Sequence, residues 1–168
     1  MYPYLVFLHI LFGFFFMMAH GASAAVAFRL RRERDFERIR ALLELTSSTA
    51  KVMYLTLILI LLTGIIAGVI GRWWVQGWFW ASLILLILIT VYMGFRSSRT
   101  YYPLKAALGL PSPWDKPQPE EARKQKLENP ADAAEVERLL ASGRPWEMAV
   151  VSLLGWAIIL WLMRFKSF

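Results

Sequence analysis

Two histidines, His9 and His20, are the only imidazoles in the chain, and both fall in one uncharged run. No other acidic or basic side chain occurs between Tyr4 and Phe28. The pair is eleven residues apart. On an α-helix that spacing is three turns with about 20° left over, and roughly 16 Å of axial rise. Both imidazoles therefore face one way, at two depths. Gly13 lies on the same stripe, with Phe16 and Met17 beside it. Imidazole is a standard axial ligand of haem iron, and helical bundles hold cofactors between facing helices. A glycine leaves room for a flat macrocycle or for a close helix. His9, His20 and Gly13 are thus the candidate site for haem b, with the two histidines as its metal ligands. No histidine follows His20. A second axial ligand would then be a methionine such as Met53 or Met93, be missing from a five-coordinate iron, or be the same histidine of a second copy. Two haems at different depths imply electron transfer across a membrane. The competing use of each imidazole is a hydrogen bond between helices, or, for His20, contact with water at the membrane boundary.

Other chemistries are poorly supplied. The chain has no cysteine, which excludes disulfides, thiolate metal sites, iron–sulfur clusters and cysteine nucleophiles. The long apolar runs hold no Asp, Glu, Lys or Arg well inside them. Conventional ion-coupled transport and carboxylate acid–base catalysis need such groups. No phosphate-binding glycine loop, nucleophile elbow or metal-ligand cluster occurs. The catalytic set is therefore empty.

The elements that must carry the histidines follow from the distribution of charge. Of 168 residues, 58% are hydrophobic and 18% charged, and the charges gather into two segments. A helix needs about 20 apolar residues to cross the hydrocarbon core, and only helices or closed barrels satisfy their backbone there. The expectation is an all-α, four-transmembrane-helix bundle forming a single membrane domain over 1–168. Its spans are at about 4–28, 52–71, 77–95 and 146–163. Positive charges follow the first run rather than precede it, which describes a retained span rather than a signal peptide. Ser47, Ser48 and Thr49 are candidate caps of the second helix. Trp73, Trp74, Trp78 and Trp80 crowd the turn between the second and third spans, where aromatics favour the headgroup level. Gly64, Gly68 and Gly71 form a small-xxx-small pattern that lets helices approach.

The two loops that bear the charge are 29–51 and 96–145. They carry sixteen of the Lys and Arg residues, against three, Arg72, Arg164 and Lys166, on the other side. The positive-inside rule places both loops in the cytoplasm, giving an N-out/C-out topology in a bacterial inner membrane. The net charge of +7 is then orientation charge rather than a sign of nucleic-acid binding. The first loop reads as a helical hairpin. The second holds seven of the eight prolines. It predicts short cytoplasmic helices, one from Pro119 through Leu127 and one from near Pro130 to just before Gly143, with Val136, Leu139 and Leu140 packing inward.

Several short motifs carry a likeness. Leu8-His9-Ile10-Leu11 with Gly13, then Thr63-Gly64, Gly77-Trp78, Tyr101-Tyr102 and Ala107-Leu108-Gly109, resemble a family of small bacterial integral membrane proteins over about Leu5 to Gly109. More distantly the chain resembles copper-resistance-D-type proteins and the oxygen-independent protoporphyrinogen oxidases. The latter likeness implies a haem-binding histidine in the first span, at His9. The chain departs from the oxidases after His20, where Gly21 to Ala27 replace a segment of aromatics, proline and arginine. The functional expectation is an integral membrane subunit that binds b-type haem or serves a redox complex. Membrane lipids and either a second copy or a larger complex are its partners. The alternatives are a cofactor-free accessory subunit and a porphyrin-oxidising enzyme.

Overall fold

The computed structural model describes residues 2–110, 119, 121 and 132–166. The chain is an all-α bundle: α1 (Tyr2–Leu30), α2 (Phe36–Ile70), a 3-10 turn (Trp73–Val75), α3 (Gly77–Ala107), α4 (Ala133–Ser142) and α5 (Pro145–Phe165). Four helical stretches, α1, α2, α3 and the α4–α5 unit, are long and apolar enough to cross a membrane. The chain is a multi-pass membrane protein, and exposed side chains such as Phe7, Ile10, Phe14, Leu88, Val91 and Leu153 form its lipid-facing surface.

Helix limits differ from the hydropathy runs. α2 begins at Phe36, where Asp35 caps it: its carboxylate accepts from the amides of Glu37 at 2.9 Å and Arg38 at 3.2 Å. Ser47, Ser48 and Thr49 do not cap anything. They lie inside α2 and donate to the carbonyls of Leu43, Glu44 and Leu45, the back-bonding available to a hydroxyl within a helix. The 29–51 loop is thus a tight turn after Leu30 followed by the first turns of α2. Likewise α3 runs past Phe95 through Pro103 to Ala107. α4 starts at Ala133 behind an Asp132 cap and ends before Gly143, with Val136 and Leu140 buried. The helix expected from Pro119 through Leu127 lies outside the described residues, apart from Pro119 and Glu121.

α1 packs closely on α2, and α3 on α5, with α4 against the end of α3; the two hairpins meet more lightly. Small residues set the close contacts. Gly68 makes room for the Phe79 ring and Gly155 for Ile89. The bundle has two unlike ends. At the aromatic end Trp73, Trp74, Trp78 and Trp80 interlock with Phe79. Both termini reach that end: Tyr2 packs edge-on to Trp73 at 6.1 Å, and Lys166 Nζ sits 5.7 and 5.6 Å over Trp73 and Trp78. At the basic end Val26, Leu30, Ile39, Leu43, Leu104, Leu108, Leu110, Val136 and Leu140 form one cluster. A second cluster, Phe16, Leu57, Ile60 and Trp156, lies deeper in the bundle.

A polar staple joins α3 to the start of α5. Glu147 Oε1 accepts from Tyr92 Oη at 2.7 Å, and Oε2 from Arg96 at 3.1 Å, with Arg144 3.7 Å away. Tyr92→Phe removes one donor and leaves the charge pairs. It is expected to lower stability by about 0.5–1.5 kcal/mol, read as a shift in the unfolding midpoint of the purified protein.

Candidate functional site

His9 leaves α1 toward α2. Its Nδ1 lies 3.0 Å from the Ile60 carbonyl oxygen and 3.1 Å from Thr63 Oγ1. A carbonyl only accepts, and the Thr63 hydroxyl already donates to the carbonyl of Leu59 at 2.6 Å. The proton therefore sits on Nδ1, and Nε2 carries the bare lone pair. The ring lies against Gly64, where an added Cβ would stand 3.0 Å from Cε1. Only glycine at that position admits the imidazole without displacing it. A metal-ligating histidine characteristically donates its second ring N–H to a carbonyl, and His9 has that arrangement.

His20 turns to a different neighbour. Its Nε2 is 2.9 Å from Ser152 Oγ on α5. The Ser152 hydroxyl donates to the Ala149 carbonyl at 2.9 Å. With the Ser152 proton assigned to that carbonyl, the hydroxyl oxygen is the acceptor, Nε2 is the donor, and Nδ1 is bare. The ring stacks on Phe16, centroids 6.1 Å apart and planes 1° apart, and Phe16 packs on Trp156 at 5.2 Å. The two histidines share a stripe of α1 but serve different helices and hold opposite tautomers.

His20 also lines a cleft between the hairpins with a volume of about 130 Å³. Met53, Met93 and Met148 line it too, as do Thr90 and Gly94. The methionines considered as haem ligands therefore gather around His20. Met53 is ten residues from Thr63 on α2, roughly 15 Å along the helix axis. Gly13 is one turn from His9, and a Cβ added there meets nothing within 4 Å. That face of α1 is open rather than close-packed. Among the described residues no group of three or more His, Cys, Asp or Glu side chains gathers to hold a metal ion.

No family model, curated protein or solved structure matches the chain. The site therefore rests on its own geometry.

One buried amine escaped the sequence reading. Lys105 belongs to α3 and is only 7% exposed, with Nζ donating to Ser47 Oγ at 2.7 Å. Counted by position it is a loop charge. Its burial follows from the continuation of α3 past Pro103, which brings Leu104, Lys105 and Leu108 against the start of α2. The signal available was Leu104 and Leu108 at helical spacing on either side of it.

Proposed function

We propose that the chain is an integral-membrane subunit of a redox assembly and that it holds b-type haem on His9. The observation that carries this reading is the pairing of His9 Nδ1 with the Ile60 carbonyl, which leaves Nε2 as a bare, oriented ligand. The open face over Gly13 supplies the adjoining space, and the more distant resemblance to the oxygen-independent protoporphyrinogen oxidases implies the same histidine. Bound haem would supply one-electron redox chemistry. The chain would orient the ligating imidazole through Ile60 and Thr63 and exclude water with its apolar surroundings. A second copy, meeting the first across the α1 face, would bring its own His9 to help hold the same group. The excess of Lys and Arg at the basic end favours placing that end in the cytoplasm of a bacterium, with both termini outside.

The test is an absorption spectrum of the purified protein with a pyridine haemochrome assay. A Soret band is expected, lost in His9→Ala and kept in His20→Ala. No haem in the wild-type protein would overturn the reading in favour of a cofactor-free accessory subunit. One observation favours that second reading: both imidazoles already bridge helices through hydrogen bonds.

A further inference from the structure

The cleft at His20 has its own chemistry. Its volume of about 130 Å³ is close to the ~150 Å³ of apolar cavities that accept a benzene-sized ring. Aromatic and thioether side chains line it, Phe16, Trp156, Met53 and Met93 among them, and both kinds favour contact with an aromatic ring. Hydroxyls of Ser23, Tyr54, Ser97 and Tyr101 line it as well, and three of its polar atoms are oriented as acceptors. His20 Nδ1 is bare because Nε2 donates to Ser152. The Thr90 hydroxyl donates to Leu86 at 2.8 Å and the Thr46 hydroxyl to Leu42 at 2.9 Å, so both turn lone pairs outward. A guest that satisfies these atoms must donate hydrogen bonds. The cleft lies between two hairpins that meet lightly, within helices whose outer faces meet lipid.

From this geometry we infer that the cleft between the hairpins binds a lipid-soluble molecule with a single hydroxylated aromatic ring, of the quinol class, with His20 Nδ1 accepting from its hydroxyl. The ring lies in the space bounded by Phe16, Trp156 and the methionines. The oxidised quinone binds less well, because its carbonyls cannot donate to His20. The inference goes beyond the haem reading and is independent of it, since His9 does not line the cleft.

Gly94 gives a clean way to close the site. It lines the cleft, and a Cβ added there meets nothing within 4 Å. Gly94→Leu therefore adds a side chain at the cleft wall while leaving His20 itself unchanged. The full chain in lipid nanodiscs would be titrated calorimetrically with a short-tailed benzoquinol and with the matching benzoquinone. The quinol is expected to bind about tenfold more tightly than the quinone, a gap of the size one good hydrogen bond provides. His20→Phe, which keeps a stacking ring but no nitrogen, should erase that preference. Gly94→Leu should abolish binding of both, and His9→Ala should change neither. Absent quinol binding, equal or tighter quinone binding, or unchanged binding in Gly94→Leu would overturn the inference. A wild-type protein with no Soret band but with quinol binding intact would count against the haem reading alone.

Discussion

Leu43→Ala is expected to destabilise the basic end of the bundle by about 2–5 kcal/mol, the range for emptying a well-packed core position. Leu43 is 0% exposed and packs in one cluster with Ile39, Leu104, Leu108, Val136 and Leu140. The flanking residues include Arg29, Arg31, Arg32, Arg34, Arg38, Glu135 and Glu137, so the medium competing for these apolar side chains is water. The full hydrophobic transfer term therefore acts there. Deeper in the bundle it does not. Leu57 and Ile60 leave one hydrocarbon environment for another, and only packing distinguishes protein from lipid. Leu57→Ala, in the deeper cluster, is expected to cost no more than about half as much. Equilibrium unfolding of both variants in mixed detergent micelles checks this. Equal losses would mean that the two clusters face the same competing medium, and the assignment of the basic end to water would fall.

The same contrast explains what hydropathy could reveal. It finds the length of hydrocarbon to be crossed, so the four crossings and the aromatic turn were legible. It does not find helix ends beyond the membrane. The run starting at Val52 suggested caps at Ser47, Ser48 and Thr49, whereas helical back-bonding absorbs those hydroxyls and Asp35 does the capping. Arg96 looked like the start of a loop, whereas α3 continues to Ala107 and buries Lys105. The histidine stripe was legible because helical spacing alone determines it. Its partners were not. α1 meets α2 along most of its length but reaches α5 at His20. Which neighbour an imidazole finds depends on how the hairpins cross, and spacing within one helix holds no information about that. The tautomers were hidden for the same reason, since they follow from Ile60 and Ser152.

Two glycines beside His9 should respond in opposite ways to the same substitution. Gly64→Leu is expected to destabilise the α1–α2 hairpin by about 3 kcal/mol, at the upper end of overpacking penalties. Even a Cβ at Gly64 would stand 3.0 Å from His9 Cε1 and 3.4 Å from Nδ1. The ring cannot swing aside cheaply, because Nδ1 is held by Ile60 and Thr63. Relieving the clash breaks those bonds and leaves the half-buried ring N–H of His9 without an acceptor. Gly13→Leu meets nothing within 4 Å, and its effect on stability should stay within about 0.5 kcal/mol. If haem sits on His9 with the Gly13 face beside it, the second variant should still lose the Soret band, because the new side chain fills the adjoining space. Stability and haem content measured on both proteins separate the two roles. A Gly64→Leu protein as stable as wild type would refute the interlock of His9 with α2. A Gly13→Leu protein with a full Soret band would exclude the open face of α1 as the seat of the cofactor.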